Sequence, residues 1–440
     1  MDSSDRDKSL PPCAHASFDV GSTDDSLARM IKDYAQFGEI YRVHAPGRQR
    51  DSWIVSDPEG IKRVLVSNHA SYGLGVGLDR VRLLVGDGII VSEGDVWRRQ
   101  HRMMQPLFQR SRVERFGDLI AAINRRRLEK WSQLAVSGEV LNVTREVSES
   151  ALEGVLRAIL GDDVDRLISE HGTNPFAILT EEVGRDLQFA FRFRQLRKHI
   201  EQIITRRESA QDPTDAAMMD WLGMMMAARD RRDGTAMSHR ELIDEVMSLI
   251  VAGHETTGAT LNAVWYLLSR HPEAEAKLHA EVDAVELADF RLETVESLHY
   301  THQVIMEALR LYPPVWTLTR RCLHADRLGG YAVPAGTDVF MSPYLVQRDA
   351  KHWPDPEAFR PERFAAGADA GAPRFAYIPF SAGPRHCIGE TFATLEMAVH
   401  IYMAARQFRL RCSSDQPMEM EARINLRARE DVLMKVERRG

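Results

Sequence analysis

The stretch "FSAGPRHCIG" at residues 380–389 sets Cys387 between Gly383 and Gly389, two positions after Arg385. The chain of 440 residues has 4 cysteines, Cys13, Cys322, Cys387 and Cys412. No two are spaced as a zinc knuckle or a redox pair, and none opens a C-x-x-C-H heme-attachment motif. Dispersed in this way they read as free thiols. Downstream, Ile388, Phe392, Leu395, Val399 and Tyr402 repeat at helical spacing and form one apolar stripe. Cys387 therefore precedes a helix N-terminus, whose partial positive charge favours thiolate over thiol. The two glycines allow a tight turn and close approach of a bulky group to the backbone.

Helical patterning dominates the rest of the chain. One very long helix is expected over residues 238–270, opened by a Ser238/Glu241 capping box and ended by Pro272. Its middle is apolar on most faces, yet Glu255, Thr256 and Thr257 interrupt it. A second helix is expected over residues 298–311, stopping before Pro313 and Pro314. The segment "RLGGYAVPAGTDVFMSPY" reads as short strands and turns. The Met-rich "MMDWLGMMMAAR" reads as core packing. "LQFAFRFRQLRK", with Phe189, Phe191 and Phe193 among basic residues, reads as an ordinary amphipathic helix.

Composition is that of a soluble globular protein, with 44% apolar and 28% charged residues. A net charge of -7 argues against general nucleic-acid binding. No stretch reaches the roughly 18–20 apolar residues of a membrane span. The first residues lack the plan of a secretory signal, so a cytoplasmic protein is expected. Residues 1–25 read as a polar, loose tail, and residues 26–440 as a single domain.

With these residues in view, a resemblance emerges. Phe380, Gly383, Arg385, Cys387 and Gly389 resemble the F-x-x-G-x-R-x-C-x-G heme-binding loop of the cytochrome P450 superfamily. Five fixed positions including a scarce cysteine recur by chance on the order of once in 10⁶ windows. Three further matches keep the family's chain order. Residues 252–257, "AGHETT", are similar to the oxygen-binding stretch of its long central helix. Glu307 and Arg310 match its E-x-x-R pair, and residues 361–364 read "PERF". "GDVWRRQHRMMQPLF" resembles its heme-flanking helix, so the likeness runs from about residue 83 to the C-terminus.

The resemblance implies a mainly α fold with a small β region, the cytochrome P450 fold, as a single heme domain. Cys387 would ligate the iron of heme b. A thiolate ligand pushes electron density that favours O–O cleavage. Phe380, Gly383, Gly389 and Ala252 would lie against the heme, and Trp97, His101, Arg320 and Arg385 would meet its propionates. Ile90, Ala252, Val315, Trp316 and Leu318 would line the substrate pocket, with Trp316 shaping access. Glu255 and Thr256 would relay protons, since a hydroxyl both donates and accepts. Glu307, Arg310 and Arg363 would lock the core behind the cysteine loop.

The expected activity is insertion of one oxygen atom from O2 into a hydrophobic small molecule, of secondary-metabolite or lipid-like type, by a monomer. No fused flavin or nicotinamide motif is visible, so electrons would come from a separate ferredoxin or flavodoxin with its reductase. Arg98, Arg99 and Arg102 would offer that partner a basic surface. The rivals are a peroxide-driven or non-oxygenating heme-thiolate enzyme, and a non-catalytic heme-binding protein. Glu255 and Thr256 together favour the O2-using enzyme.

Overall fold

In a computed structural model, residues 10–20, 25–180, 187–209, 219–367 and 372–439 are described. They fall into two units, one comprising Met1–Leu78, Gln303–Ile388 and Pro417–Glu430, the other Asp79–His302, Gly389–Gln416 and Asp431–Gly440. The first unit holds a five-stranded sheet in the order Ile40–Val43, Ser52–Val55, Asp338–Met341, Leu318–Cys322, Tyr72–Leu74. Only the pairing of Ser52–Val55 with Asp338–Met341 is parallel.

Those two parallel strands, "SWIV" and "DVFM", are buried at every position. The pleat explains why. Trp53, Val55, Val339 and Met341 enter one apolar cluster, while Ile54 and Phe340 enter another. Side chains alternate across a sheet, so a strand covered on both faces reads as a continuous apolar run. The second cluster also takes in Ala14, Phe18 and Val20. Within the stretch read as a loose tail, residues 10–20 therefore pack instead. The Ala14 and Phe18 amides donate to Arg42 and His44 carbonyls at 2.8 and 3.1 Å, and the Arg42 amide donates to the Pro12 carbonyl at 2.8 Å. A polar-looking segment was enough to supply one more extended chain and three apolar side chains.

The second unit is helical around the helix His239–Arg270, whose 32 residues span about 48 Å. Its capping box is complete. The Ser238 amide donates to Glu241 Oε2 at 2.7 Å, and the Glu241 amide donates to Ser238 Oγ at 3.3 Å. Pro272 opens the next helix, Pro272–Ala284. Glycines set how closely helix Val143–Leu160 can approach the long one. A Cβ on Gly258 would stand 3.0 Å from Ser148 Cα, and one on Gly253 2.8 Å from Val155 Cγ2. Helix Glu390–Ala405 begins three residues after Cys387, with Gly389 as its N-cap. A small sheet of Val140–Asn142, Leu433–Arg438 and Phe408–Cys412 closes this unit. In the Met-rich helix Trp221–Ala227, Met224 and Met225 are buried as expected. Phe193 is also buried, whereas the side chains of Phe189 and Phe191 and the connection at 210–218 lie outside the described residues.

One buried network fixes a tautomer. Trp265 Nε1–H donates to His400 Nε2 at 3.1 Å, so that nitrogen accepts and carries no proton. His400 Nδ1–H then donates to Asn124 Oδ1 at 2.6 Å, and Asn124 Nδ2 donates to the Ile120 carbonyl at 2.9 Å. Burial holds the His400 imidazole down to about 3, from an ordinary 6.5. A group depressed on folding stabilises the protein above its unfolded pKa and loses that contribution as pH falls through the folded one. Below about pH 6.5, His400 should therefore cost up to about 1.4 kcal/mol per pH unit. Urea unfolding of wild type and His400→Leu checks this. The stability gap between them should narrow from pH 6.5 towards 4, and parallel curves would contradict it.

Candidate functional site

Cys387 is exposed, whereas Cys322 is buried and Cys13 and Cys412 are half-buried. Cys322 donates to the His324 carbonyl at 2.9 Å, and Cys412 Sγ lies 3.0 Å from Ser269 Oγ. The Cys387 loop is ordered by its own backbone. The Cys387 amide donates to the Phe380 carbonyl at 2.9 Å, and the His386 amide to the Gly383 carbonyl at 3.0 Å. Ser381 and Gly383 both sit at positive φ, 62° and 72°. Such a conformation in a serine is uncommon and persists where the surroundings impose it. At Gly383 the reason for glycine is a backbone contact. An added Cβ would lie 2.0 Å from the Leu65 carbonyl oxygen.

Behind this loop lies a buried charge cluster. Glu307 and Arg310 are both 0% exposed. Arg310 uses its guanidinium fully. It donates to Glu307 Oε2 and Oε1 at 2.7 and 2.8 Å, and to the carbonyls of Gln347, Pro356 and Ala358 at 2.9, 2.7 and 3.2 Å. Glu307 Oε1 further accepts the Arg360 amide at 2.9 Å and Arg363 Nε at 3.3 Å. Gln347, which no motif pointed to, completes the frame. Its Nε2 donates to the Leu309 and Arg310 carbonyls at 3.0 and 3.1 Å, and its Oε1 accepts the Ile378 amide at 3.0 Å. One helix end is thus tied to residues 355–363 and to the strand of backbone entering the cysteine loop.

Elsewhere in this unit, Arg320 and Arg385 are half-buried, and Arg320 Nη1 donates to the Thr319 carbonyl at 2.7 Å. Val315 and Leu318 keep some exposure. Trp316 does not fit the role expected of it. It is 0% exposed, packs in the cluster with Ile54 and Phe340, and donates from Nε1 to the Arg423 carbonyl at 3.0 Å. Its indole is a core element, fixed by a hydrogen bond, and not a wall that a ligand would touch.

In the second unit, the long helix is buried along most of its length, yet Ala252 is exposed and Gly253, Glu255 and Thr256 are half-buried. This is an opening in the middle of the helix, between buried stretches on either side. Glu255 is thus less desolvated than the apolar sequence around it suggested. Thr256 Oγ1 donates to the Ala252 carbonyl at 2.9 Å, one turn back. Trp97 and His101 lie side by side on helix Gly94–Met104, ring centroids 4.9 Å apart. Ile90 is half-buried. The basic surface expected from the neighbouring arginines is largely neutralised within the unit. Arg98 pairs with Asp95 at 2.7 Å, Arg99 with Glu241 at 2.6 Å and Arg102 with Asp230 at 2.7 Å. Asp244 and Glu245, also on the long helix, escaped notice. The reasoning applied to Glu255, that a carboxylate amid apolar helix residues needs a purpose, would have found them.

The cytochrome P450 family model matches residues 11–435. This chain belongs to the cytochrome P450 family. Among similar proteins, cyclooctatin synthase of Streptomyces melanosporofaciens is 32% identical over 82% of this chain and 81% of its own length. Pentalenene oxygenase of Streptomyces avermitilis is 30% identical over 83% of each. The crystal structure of the cytochrome P450DA heme domain superposes with a TM-score of 0.86, covering 98% of this chain and 99% of the other at 21% identity, so the fold is shared. This P450 is a heme-thiolate oxidoreductase of the monooxygenase type. Its cofactor is heme, and the donor set fits: one exposed thiol on a loop held backbone to backbone, in a turn that Gly383 alone permits. Among the described residues no helix is long and apolar enough to cross a membrane.

The loop geometry can be checked against a built-in control. Gly383→Ala meets both positive φ and the Leu65 carbonyl, whereas Gly330→Ala, at φ 84° with nothing within 4 Å, meets only the first. Gly383→Ala should lower the denaturation free energy by at least about 1 kcal/mol more than Gly330→Ala and reduce heme retention. Equal losses would show that the Leu65 contact carries no weight.

Proposed function

We propose that this P450 oxygenates an apolar or amphipathic small molecule, of terpenoid or similar lipid-like character, using O2 and electrons from a separate ferredoxin or flavodoxin and its reductase. The observation that carries the reading is the exposed Cys387 on its pinned loop. Heme bound here would be held by the Cys387 thiolate and would supply oxygen activation, which thiolate ligation favours. The names of the two Streptomyces relatives support a terpenoid-like substrate, and in the first unit the partly exposed apolar Val315 and Leu318 suit one. The chain acts as a cytoplasmic monomer in this reading.

The chain's own residues divide the remaining work. Cys387 supplies the thiolate, and Phe380, Gly383 and Gly389 shape the backbone that flanks it. Arg385, Arg320, Trp97 and His101 supply donors for the two propionates; a charge-assisted bond is the strong kind. Ala252 is small and keeps the open stretch of the long helix accessible. Thr256 moves protons. Its hydrogen now points to the Ala252 carbonyl, which leaves its oxygen lone pairs available to accept. Rotation about χ1 releases that hydrogen for donation, and the half-buried Glu255 next to it replenishes it from solvent.

Cys387→Ser should abolish the strongly red-shifted Soret band of the ferrous CO complex. Retention of that band would assign ligation to another cysteine. Thr256→Ala should keep the band and substrate binding, and divert at least half of the consumed NAD(P)H to peroxide with surrogate redox partners. Coupling of NAD(P)H to product at the wild-type level would remove Thr256 from proton delivery. A substrate-induced spin-state change with terpenoid probes, absent with equally large polar probes, checks the substrate class.

A further inference from the structure

The first half of the long helix carries two carboxylates with little surface. Asp244 is 2% and Glu245 0% exposed. Both face the segment 86–90, "GDGII", by accepting its backbone. Asp244 Oδ2 accepts the Asp87 amide at 3.0 Å, and Glu245 Oε2 accepts the Ile89 amide at 3.0 Å. The two glycines make this approach possible. A Cβ on Gly86, at φ 78°, would lie 2.0 Å from Asp244 Oδ1. One on Gly88 would lie 2.1 Å from Ser248 Oγ and 2.5 Å from the Asp244 carbonyl oxygen. Gln100 Nε2 adds a bond to the Asp87 carbonyl at 3.0 Å. Ile90, which follows the bonded amide directly, stays half-buried.

The two carboxylates differ in compensation. Asp244 also accepts Arg197 Nη2 at 2.5 Å. Glu245 Oε1 and Ser248 Oγ are buried without a hydrogen-bond partner among the described residues. Burial pushes the Glu245 carboxyl up to about 8, with the Ile89 amide opposing and Asp244 and Glu241 adding to the rise. A carboxyl held up in this way still offers Oε2 to the Ile89 amide. Glu245, Ser248 and Ala252 follow one another at steps of three and four, so one helix face runs from this latch to the open stretch about 10 Å further on.

We propose that Glu245, with Asp244, is a positioning residue that latches the 86–90 segment onto the long helix and thereby fixes Ile90, so that the latch sets which apolar substrates are accepted. The inference rests on the oxygenase reading above, with Ile90 in the substrate chamber. A segment held by two of its amides, those of Asp87 and Ile89, presents Ile90 in one place, whereas an unlatched glycine-rich segment presents it in many.

The test uses the heme-loaded protein and two readouts, hydrogen exchange of the 86–90 amides and spin-state titration with a panel of terpenoid probes. Glu245→Gln keeps an acceptor and should stay within about twofold of wild type in both. Glu245→Leu removes the acceptor. It should speed exchange of the Ile89 amide by about tenfold, the effect of one lost buried hydrogen bond. It should also compress the affinity spread across the panel by at least about threefold while the CO band remains. Gly88→Ala, which pushes the segment off Ser248 by contact alone, should reproduce both changes if the Leu variant does not fold. Faster exchange with an unchanged affinity spread would overturn the specificity role, and unchanged exchange in Glu245→Leu would overturn the latch. A wild-type protein lacking the CO band would instead count against the heme reading, with the exchange comparison still deciding the latch.

Discussion

Arg310 has five N–H donors, and every one is engaged inside the protein, two by Glu307 and three by backbone carbonyls from residues 347, 356 and 358. The sheet and the cysteine loop of the first unit depend on this constraint. A buried charge is tolerated only when it is paired and its remaining hydrogen-bonding capacity is satisfied. The irregular chain at 355–363 therefore cannot drift, because its carbonyls are what satisfy the guanidinium. Trp353 lies under the same group, 5.3 Å from ring centroid to guanidinium carbon, and adds a π face to the cage. From there Gln347 carries the order to Ile378, and two residues later the loop begins. A rigid charge cage thus holds a loop whose own backbone is in an uncommon conformation.

The second unit shows a different means to a comparable end. Its long helix is covered by close helix contacts at Gly253 and Gly258, and in its middle it opens around Ala252. Small residues decide both features. Glycine where another helix must come near and alanine where surface must stay open are steric choices, made within seven residues of one another. Of the polar residues in that stretch, His254 and Thr257 are buried, which leaves the half-buried Glu255 and Thr256 to carry the proposed proton transfer.

Much of this was legible in the sequence, and the reasons differ by residue. The long helix announced itself through its capping box and Pro272, both local signals. The cysteine loop was legible because its glycines, arginine and thiol serve one chemical purpose at fixed spacing. Glu307 and Arg310 were readable as a pair, and their burial only through the family resemblance, since three of the partners that make it tolerable are backbone carbonyls, which every residue has. Trp316 was misread because its neighbours in sequence, Val315 and Leu318, keep exposure while its own side chain turns to the sheet's far cluster. Residues 10–20 were misread because an edge contact needs backbone more than composition. Gln347 acts through main-chain partners too, and a pattern of side chains does not reveal those; Glu245 differs, since a carboxylate among apolar helix residues is visible in the sequence although its backbone partner is not.

Arg310 organises the loop and is more than a stabilising charge. Arg310→Lys keeps the charge beside Glu307 but offers three donors from one point in place of five from a planar fork. The decisive measurement is the CO difference spectrum of this variant, read against its helix content at the same temperature. The expected result is native-like helix content with at least half of the thiolate-type Soret band lost. A full, unshifted band in a folded Arg310→Lys protein would contradict it.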